Sequence, residues 1–101
     1  MQPDKETALP DGVLSRELPI INRKGLHARA SAKFVQTVER FDADVTVSRC
    51  GETVGGRSIM GLLTLAAARG TTVTVTACGP DAAAALDAIE ELLASRFGEE
   101  E

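Results

Sequence analysis

The chain has 101 residues, 44% hydrophobic but only 3% aromatic, and its 15 acidic against 11 basic side chains leave a net charge of −4. Such a length suits one small domain with an aliphatic core, and the acidic balance argues against non-specific nucleic-acid binding. No apolar run approaches the ~20 residues that span a bilayer and the N-terminus lacks an apolar signal core, so the expectation is a cytoplasmic protein without membrane association.

Residues 1–12 include Pro3, Asp4, Lys5, Glu6, Pro10 and Asp11; polar and broken by prolines, they read as a flexible N-terminal tail. A first strand is expected over residues 13–21, where Leu14, Leu18 and Ile20 share a face. Arg16 falls on that same apolar face and weakens the pattern, and Pro19, without an N–H, points to an edge position or the end of the strand. A turn with Gly25 as its flexible point leads to a helix over residues 28–40, carried by Ala28, Ser31, Ala32, Val35 and Val38 with Phe34 and Phe41 flanking. Residues 44–49 and a short run at Thr53–Val54 read as a hairpin about Cys50-Gly51-Glu52.

Ser58 can cap a second helix expected to reach about Ala68, with Ile59, Leu62, Leu63 and Ala66 as its apolar stripe and Gly70 at its end. Residues 71–77 are a β-branched fourth strand, with Val73, Val75 and Ala77 on one face and threonines on the other. Asp81 can cap a third helix running to about Arg96, with Leu86, Ile89 and Leu93 inward and Asp87, Glu90 and Glu91 mostly outward. The expected class is α+β: an open-faced β-sandwich in the order β-α-β-β-α-β-α, a four-stranded antiparallel sheet with three helices on one face. Residues 13–97 form the domain, and residues 98–101 a solvated acidic end. Cys50 and Cys78 read as reduced thiols; with one histidine they lack the spacing of a zinc site, and no metal or cofactor is expected.

His27, the only histidine, stands where the first strand gives way to the first helix. The leading amides of a helix lack intrahelical partners and carry the positive end of its dipole, so an anion is favoured there. No acidic residue occurs from Leu18 to Val38, while Arg23, Lys24, Arg29 and Lys33 do. Arg29 and Lys33, four apart, share a helical face, and a cation in the first turn opposes the dipole unless an anion offsets it. Imidazole is a competent nucleophile at neutral pH, so His27 could carry or hold a phosphoryl group. The bland alternative is a polar turn residue or helix cap. No nearby carboxylate supports a catalytic triad.

Residues 51–58 mimic the phosphate-binding G-x-x-x-x-G-K-[ST] loop, with Arg57 in place of lysine. Arginine does not replace the lysine's point charge, and the preceding strand reads as half of a hairpin, so a turn plus cap is expected. Ser58 is a cap or a phosphorylation site, and Met60 is either core or an exposed apolar contact.

Asn22-x-x-Gly25-Leu26-His27-Ala28-Arg29 resembles the active-site signature of the HPr family of phosphocarrier proteins. Gly56-Arg57-Ser58-Ile59-Met60-Gly61-Leu62-Leu63-x-Leu65 is similar to the family's second motif, around its regulatory serine, and the likeness extends over residues 13–97. It implies a role in the phosphoenolpyruvate-dependent phosphotransferase system or its nitrogen-related paralogue. By that likeness His27 accepts a phosphoryl group at Nδ1 from an Enzyme I-type protein and passes it to EIIA-type proteins, while Arg29 stabilises the phosphate. Such a chain is a monomeric carrier with a transient phosphohistidine and not a stand-alone enzyme. Ser58 matches the serine modified by an HPr kinase/phosphorylase. The implied partner contacts are Arg23, Lys24, Ala28, Lys33, Ile59, Met60 and Leu63. The sequence departs at Ala30, where the family usually has a proline that pre-sets the first helical turn. Two other classes stand beside this reading. One is a regulatory module that binds an anion without covalent transfer. The other is an interaction protein that presents the Ile59/Met60 helix.

Overall fold

The threonine-valine run near the C-terminus becomes the middle of the sheet. In a computed structural model that describes residues 6–8 and 12–98, β5 (Thr72–Cys78) lies between β2 (Leu14–Pro19) and β3 (Asp44–Arg49), antiparallel to both. Val73, Val75 and Ala77 are buried, and the alternating threonines face away. Thr46 and Thr76 pair across β3 and β5 on that second face through their hydroxyls, 2.5 Å apart. β4 (Glu52–Gly55) follows β3 through a two-residue turn at Cys50-Gly51, both with positive φ (52° and 85°), which matches the right-handed twist of a hairpin.

The four expected strands are joined by a fifth. β1 (Glu6–Ala8) pairs antiparallel with β2, Thr7 opposite Ser15, giving the order β1-β2-β5-β3-β4. The tail expected over residues 1–12 is thus corrected at residues 6–8: the edge of β2 offers backbone donors and acceptors, and three residues with no period of their own satisfy them. The rest of the expected tail before Gly12, and Glu99–Glu101 of the expected acidic end, lie outside the described residues.

Helices α1 (Ala28–Val38), α2 (Ile59–Thr64) and α3 (Ala82–Ala94), with a 3-10 turn at Arg96–Gly98, complete the fold. Phe34 and Val38 of α1, Leu62 of α2, and Leu86, Ile89 and Leu93 of α3 close with Leu18, Val47, Val73 and Val75 of the sheet into one core. Each such side chain contributes about 1.5–3 kcal/mol by leaving water. Phe97 is buried beneath the 3-10 turn although its φ is +56°.

Three local expectations are revised by long-range bonds. Arg16 does face inward, yet it fits there: its guanidinium meets Asp87 Oδ1 at 2.8 Å and Glu90 Oε1 at 3.0 Å on α3. Asp81 occupies the N-cap position of α3 without a side-chain cap bond, because its Oδ2 accepts from the Asp42 amide at 2.8 Å. Helix α2 stops at Thr64, short of Ala68. Arg49 donates to the Leu65 carbonyl at 3.0 Å, and Ala66 takes a left-handed φ of 51° that turns the chain out of the helix. Ala66 therefore lies outside the α2 stripe, whose buried side is Leu62, with Leu65 buried just beyond it. Among the described residues no helix is long and apolar enough to cross a membrane.

Candidate functional site

The segment between β2 and α1 is shaped from both sides. Asn22, 1% exposed, donates through Nδ2 to the Gly25 carbonyl at 2.8 Å, and its own carbonyl accepts from the Gly25 amide at 3.2 Å. Gly25 has φ +67°, and a Cβ there would come within 2.5 Å of the Ala67 carbonyl oxygen. That carbonyl accepts instead from the Leu26 amide at 2.9 Å, tying the loop to the stretch that follows α2. The left-handed turn at Ala66 thus serves the site by presenting Ala67 to Leu26.

His27 is the N-cap of α1, with extended backbone (φ −76°, ψ −179°). Its amide donates to the Gly25 carbonyl at 2.9 Å and its carbonyl accepts from the Ser31 amide at 2.8 Å. The ring completes the cap: Nδ1 accepts from the Arg29 amide at 3.2 Å. Accepting requires that Nδ1 carry no proton, so the neutral ring holds its hydrogen on Nε2 and aims the Nδ1 lone pair at the start of the helix. The first turn of α1 contains no acidic residue, Arg29 stands exposed in it, and His27 itself is half-buried. An attached anion would meet amide donors and a guanidinium in a setting open to a partner.

The other site candidates divide. Ala28 and Arg29 lie beside His27 and are exposed, as are Arg23 and Lys24 in the preceding turn. Lys33 is more enclosed: its ammonium donates to the Phe97 carbonyl. That bond fastens the C-terminal turn to α1 and leaves Lys33 less available to a partner than its place on the helical face suggests. Ser58 caps α2, its Oγ accepting from the Gly61 amide at 3.0 Å. Met60 is 72% exposed and Ile59 39%, so Met60 lies on the surface and not in the core; Leu63 is half-buried. The phosphate-loop mimic of residues 51–58 is taken up by the turn, strand β4 and the cap of α2, with β4 at the sheet edge. The tasks of Asn22 and Ser31 are less visible in the sequence. Asn three residues before a glycine was the available signal for the first, since its side chain can close such a turn. Ser31 on an otherwise apolar stripe was the signal for the second. Among the described residues no group of three or more His, Cys, Asp or Glu side chains is placed to hold a metal ion.

Fold and site together define a small protein that offers an imidazole beside an anion-receptive helix start. Comparison with known proteins gives that class its family. Residues 14–95 match the family model PTS-HPr, described as the PTS HPr component phosphorylation site. The phosphocarrier protein HPr of Cupriavidus necator is 51% identical over 89 residues, covering 88% of this chain and all of that one. The phosphocarrier protein NPr of Shewanella violacea is 41% identical over 86 residues, covering 85% and 94%. The crystal structure of HPr-C-His from Thermoanaerobacter tengcongensis matches with a TM-score of 0.82 at 38% identity, over 86% of this chain and 98% of that one. The chain belongs to the HPr family, and its role is that of a phosphoryl carrier in the phosphotransferase system.

Proposed function

We propose that His27 is the phosphoryl acceptor, charged by an Enzyme I-type protein whose phosphoryl group originates in phosphoenolpyruvate and discharged to EIIA-type proteins. The observation that carries this reading is the Nδ1 nitrogen of the only histidine, which accepts from the Arg29 amide at the start of α1. Its lone pair attacks the phosphorus of the charged donor in line. The N–P bond forms as the donor's bond to phosphorus breaks, and the donor keeps that electron pair. The Arg29 amide, no longer bonded to Nδ1, then faces phosphoryl oxygens, and the Arg29 guanidinium adds a mobile charge. This support is moderate and open, which suits a group that must leave again.

The proposed partner surface joins Arg23, Lys24 and Ala28 around His27 with Ile59, Met60 and Leu63 of α2, and Lys33 stands at its margin. Ser58 is the proposed regulatory site for an HPr kinase/phosphorylase. A phosphate there would sit at a helix start, yet would add roughly two negative charges beside this surface and weaken docking of an acidic partner. The protein works in the cytoplasm as a monomer in this reading, although the relative in the Thermoanaerobacter tengcongensis HPr dimer structure is a dimer. The test is intact mass after incubation with phosphoenolpyruvate and an Enzyme I-type protein. The wild type is expected to gain one acid-labile phosphoryl group and His27→Ala none. An adduct on His27→Ala, or none on the wild type, sinks the assignment.

A further inference from the structure

Ser31 lies in the second turn of α1 and is 0% exposed, enclosed with Ala30 and Phe34. A hydroxyl costs free energy in such a place unless it is hydrogen-bonded, and serine is a poorer helix former than alanine. Helix and core would therefore both favour alanine here. What Ser31 gains lies upstream. Its Oγ donates to the Leu26 carbonyl at 3.3 Å, five residues back and outside the helix.

That carbonyl belongs to the Leu26–His27 peptide, whose N–H is the His27 amide bonded to Gly25 O at 2.9 Å. The peptide plane entering His27 is thus held at both ends, by Ser31 Oγ on one side and Gly25 on the other. The next carbonyl, that of His27, is held by the Ser31 amide at 2.8 Å. The ring's own bond, from the Arg29 amide at 3.2 Å, is exposed, whereas the Ser31 Oγ bond at 3.3 Å is buried. A bond open to water is weaker than a buried one, so it aims the ring only together with the backbone beneath it. The direction of Nδ1 accordingly depends on the backbone beneath it, and the Ser31 hydroxyl contributes one of the bonds that set that backbone, beside the helical bond of its amide.

We propose that Ser31 is a positioning residue for phosphoryl transfer, acting through the Leu26–His27 peptide to aim Nδ1 at the start of α1. The role rests on the reading of His27 as acceptor. It goes beyond that reading by assigning the aim to a buried hydroxyl that touches neither phosphate nor partner.

The test is Ser31→Ala in the full chain, which keeps the helix and removes only the hydroxyl. Two readouts are taken: the initial rate of phosphoenolpyruvate-dependent phosphorylation through an Enzyme I-type protein, and NMR of the His27 ring nitrogens and the Arg29 amide. The expected result is a rate lowered roughly 3- to 10-fold, since small misplacements of a reacting atom are costly. With it the Arg29 amide proton should shift toward solvent-bonded values and the ring nitrogens toward a mixture of tautomers. A wild-type rate overturns the proposal whatever the spectra show. A slowed rate with unaltered ring and amide signals overturns it too, because a loss of general stability would slow transfer without turning the ring. The acceptor reading fails separately: it falls if the wild type takes up no phosphoryl group or if His27→Ala takes one up, and the role of Ser31 then falls with it.

Discussion

Two helix starts in this molecule carry a nucleophile-bearing cap, and they are built differently. At α1 the cap is His27, its Nδ1 accepting from Arg29; at α2 it is Ser58, its Oγ accepting from Gly61. The first helix runs 11 residues and the second six. Behind His27 stand the buried Asn22 and Ser31, a glycine with no room for a side chain, and a bond to Ala67 from across the fold. Around Ser58 the side chains are mostly in water, from Arg57 to Met60. Under the proposed function the same capping chemistry serves two ends. An acceptor of transferred groups needs a fixed ring, and a modification site needs access for the modifying enzyme.

The largest loss is expected at Gly25. Gly25→Ala would place a Cβ 2.5 Å from the Ala67 oxygen at a φ of +67°. The left-handed conformation alone costs roughly 1–2 kcal/mol for a residue with a Cβ, and the contact forces the loop off Ala67 besides. A fall of at least about 2 kcal/mol in urea-denaturation stability is expected, together with a larger loss of phosphorylation rate than of fold. Retention of the wild-type rate would show that the loop's attachment to Ala67 is irrelevant to the ring. Ser58→Ala sharpens the other side. Losing that cap should cost about 1 kcal/mol in thermal unfolding while the rate of His27 phosphorylation stays unchanged. A matching drop in rate would mean that the two helix starts are not independent. The smallest effect is expected at the left-handed turn that follows α2. Ala66→Gly relieves a left-handed φ of 51° and should stabilise the chain by up to about 1 kcal/mol, partly offset by the greater freedom of glycine when unfolded. Hydrogen exchange at the Leu26 amide should slow in proportion, and faster exchange would contradict the part given to this turn.

Most of the sheet and all three helices were legible because their signals are local. Val73, Val75 and Ala77 alternate with threonines, and Phe34, Val35 and Val38 recur at helical spacing, so each element announces its buried side. The candidate site was legible for the same reason, since the signature from Asn22 to Arg29 is contiguous. What escaped was decided by partners far along the chain. Three residues of β1 carry no period and exist as a strand only beside β2. Arg16 broke the apolar face because Asp87 and Glu90 were not visible as its partners. Asp81 left its cap for the amide of Asp42, and α2 ended early where Arg49 took the Leu65 carbonyl. Likewise, the sequence marks Ser31 as a stripe residue, while its bond runs backward to Leu26.

The bond between Leu26 and Ala67 also has a bearing on how the molecule comes into being. β2 pairs with β5, Leu18 opposite Val73, and Ile20 continues that contact through Thr71 and Gly70. These partners are separated by most of the domain, so their meeting requires closure of a long loop, a step that slows folding more than it weakens the folded state. Helix α1 and the Asn22–Gly25 turn can form from their own residues, but the bond from Leu26 to Ala67 waits for the chain beyond α2. During synthesis the segment bearing His27 emerges early and waits for the second half of the chain. The carrier's reactive geometry is therefore a late product of folding, made by the closing of the sheet.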